Sequence, residues 1–258
     1  SGLILPEPPL RAEALKTIAE AALDQAQTMH ASFVVFDYLN RQAAHEPGWP
    51  ETFASATLVH PGTYMDIIWP DFDSYLNHLS YKTRKNYRRY RRAADRMGVE
   101  IKSSPTVTQL EEALVLIRNV EQRHREPPYP WTRPMLENAA MVDAAWLTAE
   151  INGRLVGCEL MLGDGDTWLV TMLGLDYGVQ YVYFRLGYAD IQYAIEHGIR
   201  RLRWGSCVYE VKHRLGFKLE DNNYVTFATH NRLLSWIGRR FASPSSASND
   251  EPQTADEA

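Results

Sequence analysis

The 258-residue chain is long for one domain and short for two, and its 45% hydrophobic and 11% aromatic residues suffice for a buried core, which excludes a disordered or fibrous protein. The absence of a long apolar run and of a signal pattern in SGLILPEPPL predicts neither a membrane span nor a leader, and two cysteines, Cys158 and Cys207, exclude a disulfide framework or structural zinc site, so a reducing, cytoplasmic setting is expected. The net charge of -5 is uneven: Lys82 to Arg96 holds eight basic residues and one acid, about +7 against about -12 elsewhere, which reads as one local anion contact rather than a chain that coats nucleic acid.

Leu10 to His30 is predicted to be a helix with Leu15, Ile18, Ala22 and Leu23 near helical spacing, and Ser32 to Tyr38 (SFVVFDY) a buried strand. Tyr64 to Trp69 reads as a strand closed by Pro70. Phe72 to Gly98 is one long helix or two short ones, with Ser80 or Thr83 as N-cap and Tyr87, Tyr90 and Ala94 on one stripe. A second amphipathic helix runs from Thr108 to about Arg125 on Leu110, Leu114, Ile117 and Val120. Four prolines within Glu126 to Pro134 (EPPYPWTRP) predict an ordered loop there.

Three strands follow, Trp146 to Ile151, Leu155 to Leu162 and Thr167 to Leu173, joined at Asn152-Gly153 and Gly163 to Asp166 as an antiparallel meander. A helix from Phe184 to His197 stops at Gly198, and Ile199 to Trp204 alternates like a strand. ALDQAQTMHASFVVFDY and YADIQYAIEHGIRRLRW share the order helix, turn, strand, which suggests a weak internal duplication. Tyr224 to Thr229 is the last predicted strand and Arg232 to Phe241 the last helix, before a polar, acidic tail expected to be disordered.

The stretch LNHLSYKTRKNYRRYRRAADRMGVEI resembles the linking segment of FemAB-like acyltransferases of the GNAT superfamily. WLTAEINGRLVGCELMLGDGDTWLVTMLGLD and GYADIQYAIEHGIRRLRWGSCVYEVKHRLGF are similar to the catalytic half of that family. The resemblance implies an α/β (α+β) fold whose mixed sheets open between diverging strands. It divides the chain into a partial first GNAT-like half (residues 1–70), a basic linking segment (71–105), a complete catalytic half (106–241) and the tail (242–258). The early strands of the first half are absent from this sequence, so a fragment or a shortened variant is expected.

Arg185 to Ala189 (RLGYA) is expected to open a helix whose free N–H groups bind phosphate. Gly187 and Ala189 match the GNAT coenzyme A turn, while Arg185 sits one position too close; the other reading of Gly187 is close helix packing. Lys212 in YEVKHRLGF occupies the place of a family lysine that assists the donor; its ammonium would bind phosphate or stabilise an oxyanion, with Arg214 sharing charge and Tyr209 a proton-transfer group. Glu159, alone in an apolar strand, is a candidate base, or else a partner of Arg203. Arg84, Lys85, Arg88 and Arg92 are candidate phosphate ligands, and Tyr129 and Trp131 candidate acceptor contacts.

No P-loop, metalloprotease helix, nucleophile elbow or CxxC pair is present, and no metal or bound cofactor is expected. The resemblance implies an N-acyltransferase that uses acyl-coenzyme A or aminoacyl-tRNA as donor and a small-molecule or peptide amine as acceptor. The alternative is a non-catalytic GNAT scaffold that binds RNA or another phosphate-rich ligand.

Overall fold

The computed structural model describes residues 3–57 and 60–229. They fall into two compact units, one made of the chain up to Pro61 with the segment from Glu220 onward, the other of Gly62–Leu219. This division departs from the boundaries expected at residues 70 and 105, for a reason that the strand pairing below supplies. The boundary at 241, the helix expected from Arg232 to Phe241 and the tail lie outside the described residues.

In the first unit, α1 (Arg11–Thr28) buries Leu15, Ala19 and Ala26, while Ile18 is 38% exposed, so its buried stripe is narrower than the sequence spacing predicts. β1 (Val34–Leu39), the short α2 (Arg41–Ala44) and β2 (Ala54–Thr57) follow. The strand expected to be buried over Ser32 to Tyr38 is a partly exposed one: of β1 only Leu39 is buried and Val35 is 55% exposed, because a strand with one covered face alternates. Phe36 packs on Trp49 and Phe53 at centroid distances of 5.1 and 6.0 Å, and with Ala19 this forms the small core.

The second unit opens with β3 (Thr63–Asp66), α3 (Phe72–His78) and α4 (Tyr81–Arg96). The expected long helix is thus a pair. Asp71 caps α3 by accepting from Ser74 N at 2.7 Å, and Ser80 caps α4 by accepting from Thr83 N at 3.2 Å. β4 (Val99–Ser104) and α5 (Leu110–Arg123) come next, then α6 (Thr132–Glu137). Pro134 lies inside α6, against the sequence expectation of a loop; in the first turn its missing N–H leaves no helical bond unmade.

The meander is β5 (Ala144–Ile151), β6 (Arg154–Asp164) and β7 (Thr167–Leu175), with Asn152 and Gly153 both at positive φ as a two-residue hairpin turn requires. α7 (Val182–Glu196), β8 (Arg201–Trp204), α8 (Tyr209–Leu215) and β9 (Lys218–Leu219) complete the unit. The chain then contributes β10 (Tyr224–Ala228) to the first unit, antiparallel between β1 and β2.

The large sheet has the order β4-β5-β6-β7-β8-β3-β9 and is antiparallel except for β7 and β8, which confirms the mixed α/β class. β3 pairs with β8 and β9, so the chain before residue 70 already belongs to this sheet. α3, α4 and α7 cover one face, on Ala145, Leu147 and Ala149, and α5 and α6 the other, on Trp146, Cys158 and Leu160. Gly157 lets α7 come close, since a Cβ there would stand 2.3 Å from Val182 Cγ1. α1 with β1 and α7 with β8 do share the order helix, strand, yet β1 pairs antiparallel with β10 and β8 parallel with β7, so the similarity does not extend to pairing.

Candidate active site

β7 and β8 pair only over Thr167 to Leu169 with Arg201 to Arg203. Just beyond, the β6–β7 register shifts so that Thr171 is the extra residue, its Oγ1 donating to Leu160 O at 3.0 Å. A bulge bends and twists its strand, and here it falls where β7 and β8 cease to pair. Carboxyl ends of neighbouring parallel strands are where open α/β sheets bind ligands. Two connections leave this end, the segment to α7 after β7 and the loop Gly205 to Val208 after β8, and the C-terminal part of α5 is tied to the first of them: Asn119 Nδ2 donates to Leu175 O at 3.2 Å and Arg123 lies over Tyr177.

Lys212 organises the β8 loop. It is buried, and its Nζ donates to Gly205 O at 2.5 Å and Ser206 O at 3.0 Å. Thr63 Oγ1 also donates to Trp204 O and Gly205 O, at 3.1 and 3.2 Å, and Tyr75 OH donates to Leu215 O at 3.0 Å, so both ends of the loop-and-helix segment are pinned. Cys207 and Val208 are held at φ +70° and +51°, an uncommon backbone for any side chain and a strained one for valine. Burial pushes the Lys212 amine down to about 8, partly offset by the Cys207 thiol. Two carbonyls use two of its protons; the third position holds an N–H in the ammonium and a lone pair in the amine.

Several other candidates stand elsewhere than the sequence suggests. The helix begins at Val182, three residues before Arg185, whose N–H already donates to Tyr181 O at 3.0 Å; the free donors of the first turn are those of Val182 to Phe184, not of Arg185 to Ala189. Gly187 faces Trp204, where a Cβ would lie 2.7 Å from Cη2, so close packing is its role. We expect Gly187→Val to lower stability by about 1–3 kcal/mol in urea denaturation; wild-type stability would contradict the packing assignment. Arg214 is bound to Glu210 at 3.0 Å, two residues and thus roughly half a turn from Lys212, and does not share its charge role. Tyr209 is the first residue of α8 and half-buried.

Glu159 is buried with Asp190, a residue the sequence reading missed, rather than set in a solvent-filled cleft. Its Oε2 and both Asp190 oxygens are shielded without a well-formed hydrogen bond. Burial, then the mutual charge, pushes Glu159 well above the usual carboxylate range, and burial raises Asp190 to about 7. Asp190 was findable: it lies four residues from both Leu186 and Ala194 on the buried stripe of α7.

Tyr129 and Trp131 stack at 4.8 Å, with Trp131 53% exposed. Their loop is tied to α5 by Glu121, which accepts from Tyr129 N at 3.3 Å and from Arg118 Nη1 at 2.8 Å, and by Arg118 donating to Glu126 O at 3.2 Å. Arg84, Arg88 and Arg92 line a separate groove between α3 and α4, and Lys85 is not among its lining residues. Among the described residues no helix is long and apolar enough to cross a membrane.

A mixed sheet opening between two parallel strands, with helices on both faces, defines a chain of the mixed α/β class. The chain belongs to the FemAB-like family, described as peptidoglycan biosynthesis/recognition, whose pattern spans residues 4–257. Its fold is similar to that of FemX, at 12% identity over 88% of this chain and 79% of that one, with a TM-score of 0.57. L-PGS from Bacillus licheniformis is similar at 11% identity over 92% and 79%, with a TM-score of 0.57. A conserved protein of unknown function from Bacteroides thetaiotaomicron matches at 13% identity over 83% and 75%, with a TM-score of 0.56. Among curated proteins none matches in sequence.

Proposed function

We propose that this chain is a transferase that moves an acyl or aminoacyl group, from acyl-coenzyme A or aminoacyl-tRNA, onto the amine of a small molecule or peptide. The observation that carries the reading is Lys212 of α8, buried and bonded to two carbonyls of the strained loop that follows β8. Membership of the FemAB-like family and the fold shared with FemX and L-PGS support aminoacyl transfer in general.

In this reading the acceptor nitrogen attacks the activated carbonyl, and the third Lys212 N–H donates to the oxygen that gains charge. The new C–N bond forms, the ester C–O or thioester C–S bond breaks, and the proton lost by the amine passes to the departing oxygen or sulfur. The first-turn N–H groups of α7 stand at the positive end of a helix dipole, suited to a donor phosphate. The test is a transfer assay read by product mass, with Lys212→Met beside the wild type.

Tyr129 and Trp131 offer stacked, anchored aromatic surface for the acceptor. Replacing both by Ala should raise the acceptor KM at least several-fold, since one aromatic contact is worth about 0.5–1.5 kcal/mol beyond its buried area and two are removed. An unchanged KM with unchanged stability would remove the loop from the site. A non-catalytic scaffold that binds a phosphate-rich ligand is the rival reading, favoured by the arginine groove of α4; it requires no role for Lys212.

A further inference from the structure

α3 and α4 enclose a groove of about 510 Å³ lined on the α4 side by Arg84, Arg88, Arg91 and Arg92. It is distinct from the Lys212 site. On α3, Asp73, Leu76 and Asn77 form the groove stripe, whereas Tyr75, on the far side of that helix, reaches Leu215 at the end of α8. The arginines are unequally free. Arg84 Nη1 is engaged by Leu79 O and Asn77 O, bracing the end of α3, and Arg92 Nε donates to Arg88 O at 3.1 Å, which leaves the terminal nitrogens of Arg92 available. Among the described residues Arg91 makes only long contacts, 3.9 Å to Asp95 and 3.5 Å to Tyr87 OH. Arg88 is exposed, and among the described residues no hydrogen bond or ion pair of its guanidinium is present.

Three guanidiniums with unused donors in one concave groove, on a helix of charge about +7, call for an anion of more than one charge. Shape narrows the choice. The three guanidiniums with free donors sit on Arg88 to Arg92, four residue steps or about 6 Å of helix at 1.5 Å per step, so side chains of this length can grip neighbouring phosphates along one strand. A lipid surface fits less well, because the arginines line a concavity and Asp73 and Asp95 border it.

We propose that the α3–α4 groove binds the phosphodiester backbone of one nucleic-acid strand, with Arg88, Arg91 and Arg92 as its phosphate contacts. RNA and single-stranded DNA share that chemistry, and the two arms of the test separate them. The site does not depend on the transferase reading, since binding is measured without any acyl group.

The experiment is fluorescence anisotropy of the full chain with a short labelled RNA and the DNA of equal sequence, across a salt series. Three phosphate contacts predict a slope of log K against log salt of about -2, and Arg88→Gln with Arg92→Gln should flatten it by about 1.4. A charge-matched control, Arg154→Gln with Arg200→Gln, should leave the slope unchanged, both residues being exposed and distant in sequence from α4. RNA binding alone would assign the groove to RNA, and equal binding to the shared backbone. No binding of either strand at about 50 mM salt, or equal flattening by the control pair, would overturn the proposal.

Discussion

Lys212→Met is expected to abolish most transfer while leaving the protein as stable as the wild type or more so. Removing one preorganised donor to a developing oxyanion costs about 10²–10³ in rate. Stability should move the other way, because the native state holds this amine near 8 instead of its ordinary 10.5 through burial, and methionine carries no such cost. The linkage has a definite sign: between about pH 8 and 10.5 the unfolded wild type binds more protons than the native, so its stability rises across that window. The methionine variant lacks that rise. In the pH–rate profile, an ammonium role predicts that kcat/KM falls above about pH 8 and that Lys212→Arg, which stays charged, removes the fall. A variant that transfers at the wild-type rate, or a rate that climbs through the same pKa, would count against Lys212 as the donor to the oxyanion.

Asp190→Asn should stabilise the fold at neutral and alkaline pH. In the unfolded chain this carboxyl titrates near its ordinary 3.8, whereas the native state keeps the proton until about 7, so native protein binds more protons over that interval and loses stability as pH rises through it. Asparagine does not titrate, and its amide can donate toward the buried Glu159 Oε2. The advantage should grow from about pH 4 to about pH 7 and then level off at a few kcal/mol, at about 1.4 kcal/mol per unit of pKa. Glu159, raised in the same direction, acts with it as one pair. Urea denaturation of both proteins on either side of neutrality measures this; stability curves that run parallel with pH would contradict a buried Asp190 that keeps its proton to about 7.

The meander was legible because its signals are local: alternating residues, then Asn152-Gly153 at the turn. Ser80 as a cap was legible for the same reason, one side chain bonding three residues on. Sheet order was not, since β3 is joined to β8 and β9 by contacts between distant segments, and β10 returns to β1 and β2 after the whole second unit has passed. Domain boundaries drawn along the chain could not anticipate that return. Lys212 was singled out by its family setting, but its burial and its carbonyl cradle depend on a loop conformation that YEVKHRLGF does not announce. The RLGYA turn misled for a physical reason: a glycine inside a helix reads like one at its start until the packing partner, here Trp204, is known.

Transfer itself can be observed directly by incubating the full chain with acyl-coenzyme A or with aminoacylated tRNA and a panel of small-molecule and peptide amines, followed by intact-mass analysis of the acceptors. The account predicts an acceptor heavier by one acyl or aminoacyl group with one of the two donors, and no such product with folded Lys212→Met. Unmodified acceptors with both donors, from a wild-type protein that still binds a nucleic-acid strand in its α3–α4 groove, would contradict the transferase reading and leave a binding scaffold in its place.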